Sequence, residues 1–173
     1  FGAHLMKPVR ARLLRKTLTD VVRTSRAKRA MTGQPHLLNA QPIRETAVRP
    51  VQDRPMPQAK RSSLDVLIAE DNDVNQIVFT QILQQTDLRF RIVANGKKAV
   101  EAWQETNPSI ILMDVSMPVM NGHQATQAIR AEEQRLETGT RVPIIGVTAH
   151  AHDSDRDMCL AAGMDDYLSK PIS

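Results

Sequence analysis

The sequence predicts an α/β fold, a doubly wound parallel sheet of five strands. Three observations carry this. From Leu64 onward, short apolar runs alternate five times with helical patterns, over short links. The most apolar run, Ile110–Met113, suits a strand buried on both faces, as in the middle of a parallel sheet. That run ends on a single carboxylate, Asp114, and is followed at once by the breakers Met117-Pro118 and Asn121-Gly122. Asp114 therefore falls at the C-terminal end of a central strand, where open α/β sheets place their ligand sites.

Each element has its own signal. Val9, Leu13, Leu14, Leu18, Val21 and Val22 recur near helical spacing with Arg and Lys between them, which predicts an amphipathic helix over about Arg10–Thr24. Residues 25–62 scatter Pro, Gln, Arg and Ser without periodicity, the composition of a linker. Asp65–Ala69 reads as the first strand, ending on Glu70-Asp71. Asp73 is placed to cap the next helix with Gln76 at capping-box distance, and Val74, Ile77, Val78, Ile82 and Leu83 form its apolar stripe. Leu88–Ala94 is a strand, and Asn95-Gly96 turns into a helix with Ala99, Val100 and Trp103 that Asn107-Pro108 breaks. After the Ile110–Asp114 strand come a helix over Gly122–Glu137 and a strand over Pro143–Thr148. A helix over Ser154–Ala162 with Gly163 as its stop precedes a last strand, Asp166–Ser169. No helix follows Lys170-Pro171, and both ends of the chain read as cut from something longer.

Composition divides the chain. Residues 1–62 hold 14 Lys and Arg against 3 Asp and Glu, an excess of 11 positive charges, and six of the ten prolines. Residues 63–173 hold 9 against 16, an excess of 7 negative charges, which leaves the net +4. The single cysteine, Cys159, excludes an internal disulfide and fits a reducing compartment. No apolar run approaches the ~20 residues a membrane span needs. One short repeat stands out: Met164–Ile172 (M-D-D-Y-L-S-K-P-I) aligns with Phe1–Val9 (F-G-A-H-L-M-K-P-V).

The strand ends collect the chemistry. Glu70 and Asp71 follow the first strand and Asp114 ends the third, so three carboxylates converge on one sheet edge. They repel one another unless a cation joins them, and an all-oxygen donor set suits Mg²⁺. Thr148 ends the fourth strand and Lys170 follows the fifth. A hydroxyl and an ammonium beside a metal and carboxylates are what a transferring phosphoryl group requires.

The stretches V-L-I-A-E-D-N-D-V-N-Q, I-L-M-D-V-S-M-P-V-M-N-G, P-I-I-G-V-T-A-H and C-L-A-A-G-M-D-D-Y-L-S-K-P-I together resemble the receiver domain of two-component signalling. Their flavour is similar to receivers of hybrid histidine kinases. The resemblance implies a flavodoxin-like receiver fold over residues 63–173. It implies Asp114 as phosphoacceptor, Glu70, Asp71 and Asp114 with the Ser116 backbone carbonyl as Mg²⁺ ligands, Thr148 and Lys170 as phosphoryl contacts, and Tyr167 with Thr148 as the switch. It implies as partners a histidine kinase core and a histidine phosphotransfer domain or response regulator, in the cytoplasm, with a parent hybrid kinase at the inner membrane. Residues 1–24 are then the tail of a preceding receiver, with His4 in place of the usual aromatic. The resemblance also implies a cis Lys170–Pro171 bond. The receiver's final helix is missing from residues 63–173, and the helix at Arg10–Thr24 is available to cover the face it leaves bare. Several hundred Å² of exposed apolar sheet would cost several kcal/mol at ~25 cal/mol/Å².

Two other functions compete. The basic arm of residues 1–62 could contact nucleic acid or an anionic membrane; its charges are diluted by Pro and Gln, with Phe1 its only aromatic, so no nucleic acid is expected. A small-molecule phosphatase could use Asp114 as nucleophile, but Ser116 cannot supply the second acid such enzymes commonly need. His150 and His152 read as solvated, His36 as a linker residue, and Cys159 and Trp103 as core.

Overall fold

The computed structural model describes residues 9–32, 64–137, 139–150 and 152–172. Its elements are α1 (Val9–Thr32), β1 (Val66–Ala69), α2 (Asp73–Gln84), β2 (Phe90–Val93) and α3 (Gly96–Thr106). Then come β3 (Ile110–Asp114), α4 (Gly122–Leu136), β4 (Ile144–Thr148), α5 (Asp153–Ala161) and β5 (Asp166–Ser169). The five strands are all parallel, in the order β2-β1-β3-β4-β5. The predicted doubly wound sheet is the observed one, and the Lys170–Pro171 peptide is cis, as expected.

Side chains alternate across the sheet and feed two cores. Leu67, Ala69, Ile111, Met113 and Ile144 face α3, α4 and α5, where they meet Ala99, Trp103, Ala125, Ile129 and Cys159. Val66, Ile68, Ile110, Leu112, Ile145 and Val147 face the other way, against Phe79, Ile82 and Leu83 of α2. Cys159 and Trp103 are buried, as the sequence indicated.

That second face is closed by α1. Leu14, Leu18 and Val22, one helical stripe, are 4, 0 and 1% exposed and pack among the strand side chains of β1, β3 and β4. The helix is fastened at its far end. Arg26 donates Nε to Asp65 Oδ1 at 3.0 Å and Nη2 to Asp65 Oδ2 at 2.6 Å, just before β1. The Arg89 amide donates to the same carboxylate at 2.8 Å. Burial pushes the Asp65 pKa up, but these donors outweigh it and hold it below the ordinary carboxylate value. The Arg15 guanidinium also bonds the Gln85 carboxamide at the end of α2. So a helix from the N-terminal side supplies the cover that residues 63–173 lack. Near β5 the fit is looser: a cavity of about 330 Å³ remains between Leu13, Leu14, Thr17 and Tyr167, Leu168, Ile172.

Several boundaries differ from expectation. α1 runs eight residues past Thr24, because Ser25–Thr32 (S-R-A-K-R-A-M-T) contains no Gly or Pro and mostly good helix formers. The expected boundary at residue 25 thus lies inside the helix. Residues 1–8 and 33–63, which hold the repeat segment, His36 and the rest of the expected linker, lie outside the described residues. The cap of α2 is Asn72, not Asp73: Asn72 Oδ1 accepts from the amides of Val74 and Asn75. Val74 and Ile77, placed on the buried stripe, are 67 and 57% exposed. Phe79 takes their place, since the helix turns its 75–79–82–83 face to the sheet. Leu136 is also exposed.

Because Leu18 is fully buried between α1 and the sheet, Leu18→Ala should lower the unfolding free energy by about 3 kcal/mol in urea titrations. The Asp65 contribution has a definite sign. It is complete above the unfolded carboxylate pKa and is lost as pH falls through the lower folded value. Asp65→Asn should remove that acid-side slope, and a Leu18→Ala protein with an unchanged midpoint would show that α1 adds nothing to the core.

Candidate functional site

The site is built where three strands end side by side. β1 delivers Glu70-Asp71, β3 delivers Asp114, and β4 delivers Thr148. β1 and β4 flank β3 directly, so these groups need no long reach to converge. β5 lies beyond β4 and carries Lys170 just past its end, where the Lys170 amide donates to the Thr148 carbonyl at 2.7 Å.

Glu70, Asp71 and Asp114 place one carboxylate oxygen each within 4.8 Å of one another. Glu70 and Asp114 are buried and Asp71 is exposed. Lys170 Nζ stands between the buried pair, 2.8 Å from Asp114 Oδ2 and 2.9 Å from Glu70 Oε2. Burial works against the ammonium, yet the two carboxylates prevail and its pKa lies above the ordinary value. For Asp114 the balance goes the other way. Burial and the neighbouring Glu70 charge raise its pKa despite the ammonium of Lys170 and the Ser116 amide, which donates to Oδ1 at 3.2 Å.

The loop after Asp114 is folded back tightly onto its strand. Gly122 donates its amide to the Val115 carbonyl at 3.1 Å, and a Cβ there would sit 2.2 Å from the Asp114 carbonyl oxygen. Only glycine permits that approach. Asn121 then caps α4 in a capping box with Gln124. Within the same loop Val119 holds φ +71°, an unusual conformation for a β-branched residue.

Of the expected site residues, the structure gathers Glu70, Asp71, Asp114 and Lys170 into one cluster. Thr148 is buried at the end of the adjacent strand, its Oγ1 accepting from the His150 amide at 3.2 Å. Ser116 is exposed in the loop two residues beyond Asp114. Tyr167 is half-buried on β5 opposite Gly146 of β4, against the core shared with α5. His150 and His152 are exposed with stacked rings. Asn72 and Asn75, which the sequence reading left without a role, and Gln76, expected only to cap α2, surround Glu70. Their signal was the run E-D-N-D-V-N-Q itself, since a helix beginning at residue 73 returns residue 75 to the strand end.

The sequence model of the response regulator receiver domain matches residues 66–173. The chain belongs to that family. The chain is 37% identical over 167 residues to the sensor protein GacS of Pseudomonas syringae pv. syringae, a match that covers 96% of this chain and 16% of that protein. It is 42% identical over 113 residues to hybrid signal transduction histidine kinase I of Dictyostelium discoideum, covering 62% of this chain and 6% of that one. The chain thus spans a small part of the kinases it matches. Among solved structures, it resembles the receiver domain of the sensor histidine kinase PA1611 from Pseudomonas aeruginosa PAO1, described with a magnesium ion in its active site cleft. The identity is 44% and the TM-score 0.55, over 63% of this chain and 86% of that one. It also resembles the Saccharomyces cerevisiae complex of the histidine phosphotransfer protein Ypd1 with the receiver domain of Ssk1. There the identity is 31% and the TM-score 0.61, over 65% of this chain and 81% of that one. The fold is that of two-component receivers. No described helix is long and apolar enough to cross a membrane.

The raised Asp114 pKa has a stability consequence. Without a metal, the folded state holds the Asp114 proton more tightly than the unfolded chain. Stability is therefore lost as pH rises from the unfolded carboxylate pKa through the folded value. Asp114→Asn should abolish that loss and raise the neutral-pH melting temperature of the metal-free protein; a lower melting temperature would contradict the electrostatic account.

Proposed function

We propose that Asp114 accepts a phosphoryl group from a phosphohistidine, with Mg²⁺ held by Asp71, Asp114 and the Ser116 carbonyl and with Glu70 contributing from behind. The carrying observation is Asp114 at the end of β3, buried beside Glu70 and paired with Lys170 at 2.8 Å.

The donor set fits such a cation. It is all oxygen, its three carboxylates carry more negative charge than one ammonium offsets, and it is half open through the exposed Asp71. Moreover Glu70 Oε2 is buried and accepts no aligned hydrogen bond, although Lys170 Nζ is 2.9 Å away, so one lone pair remains for a cation or its water. Bound Mg²⁺ would neutralise charge on the phosphoryl oxygens.

The chain's own residues do the rest. An Asp114 carboxylate oxygen attacks phosphorus, the P–O bond forms as the P–N bond to the donor imidazole breaks, and the imidazole departs taking up a proton. Lys170 Nζ, already at the carboxylate, shifts to the phosphoryl oxygens. The Thr148 hydroxyl, one strand away, donates to another of them. Thr148 then moves toward the phosphoryl group, and Tyr167 on the neighbouring strand follows, changing the β4–β5 surface. The donor is a histidine kinase core or phosphotransfer domain. The GacS match, which reaches into the residues ahead of 63, supports a sensor histidine kinase as the parent; the Phe1–Val9 repeat is what supports a preceding receiver as the source of α1.

Incubation with Mg²⁺ and a small acyl-phosphate donor should add one phosphoryl group by mass. Asp114→Asn should remove it, and Lys170→Ala should slow it by about 100-fold, the scale for losing a preorganised charge partner. Labelling of Asp114→Asn at the wild-type rate would end the proposal.

A further inference from the structure

Asn75 lies on the first turn of α2, five residues after Glu70, and its Nδ2 donates to Glu70 Oε1 at 3.2 Å. The Asn72 amide donates to the same oxygen at 3.2 Å. Lys170 Nζ reaches it at 3.2 Å as well. Gln76 Nε2 meanwhile holds the Glu70 main-chain carbonyl at 2.7 Å. Glu70 is fully buried, so its carboxylate cannot turn to water for partners. All three aligned donors fall on Oε1; Oε2 accepts no aligned bond and faces only the Lys170 ammonium, 2.9 Å away, which leaves it when a phosphoryl group arrives.

We infer that Asn75 is a positioning residue for the cation: with the Asn72 amide it pins Glu70 by Oε1 and reserves Oε2 for the metal or its water. The inference rests on the receiver reading given above and assigns it a residue. The chemistry favours a carboxamide there. Asp at position 75 would set two carboxylates against each other. Lys would bring a second ammonium that competes with the metal. Alanine would leave Oε1 held by the Asn72 amide and Lys170 alone, and the carboxylate free to turn Oε2 away from the cation. Asn72 is already committed, since its side chain caps α2 through the Val74 and Asn75 amides. That capping fixes the turn from which Asn75 reaches back.

The test measures Mg²⁺ binding by calorimetry and, separately, labelling by an acyl phosphate across a Mg²⁺ series. Asn75→Ala should raise the half-saturating Mg²⁺ about tenfold, the scale for losing a partner that orients a metal ligand. It should leave the labelling rate at saturating Mg²⁺ unchanged. Asn75→Gln, which keeps a donor, should recover part of the affinity even if Asn75→Ala lowers the melting temperature. In a Glu70→Gln background, Asn75→Ala should have little further effect, because the carboxylate through which it acts is gone. Wild-type affinity in Asn75→Ala, or an undiminished effect in the Glu70→Gln background, overturns the role of Asn75 while the receiver reading stands. A wild-type protein that binds no Mg²⁺ overturns both.

Discussion

Three carboxylates brought within 4.8 Å of one another repel, and the site is arranged around the management of that repulsion. One of the three, Asp71, is left in water, where its charge is screened. The other two are buried and share the ammonium of Lys170. One positive charge does not neutralise the set: burial first, and then the Glu70 charge, raise the pKa of the Asp114 carboxyl even with Lys170 beside it. A residual negative field in a half-open, all-oxygen edge suits a divalent cation. The domain holds an electrostatic deficit of positive charge that its ligands complete.

The sheet makes that arrangement geometrically cheap. Because β1, β3 and β4 are adjacent and parallel, their C-terminal ends line up without any loop having to carry a side chain across the molecule. The cost falls on the interior, since a parallel sheet must be covered on both faces. On one side α3, α4 and α5 come from the crossover connections. On the other, α2 covers only part, and α1 supplies the remainder with Leu14, Leu18, Val22 and the Arg26–Asp65 pair. Site and cover are thus specified by segments far apart in the chain.

How much of this could be read beforehand follows from which interactions are local. The strand at Ile110–Asp114 was legible because full burial writes a continuous apolar run, and the placement of Glu70, Asp71, Asp114, Thr148 and Lys170 followed from strand ends alone. The capping of α2 was not. Asn72 and Asp73 are both good caps, and the choice depends on Asn75 and Gln76 being drawn back to Glu70, a contact with no periodicity. The same local choice rotated the buried stripe away from Val74 and Ile77. The true end of α1 was hidden because linker composition from residue 33 onward blurred a helix-forming stretch that precedes it. Its docking could be argued only from the bare sheet face; the fastening of Arg26 to Asp65, 39 residues apart, left no mark in the sequence.

Gly122 carries a consequence of another kind. The atom that excludes a side chain there is the main-chain oxygen of Asp114, the residue at the centre of the chemistry. A crowded side chain can be relieved by trimming its neighbour, but a peptide carbonyl is common to every amino acid. No substitution elsewhere in the strand makes room, and shifting the strand would move the Asp114 carboxylate itself. In the language of inheritance, a lesion at this position is not one that trimming a neighbouring side chain suppresses; it must be answered by the main chain that bears Asp114.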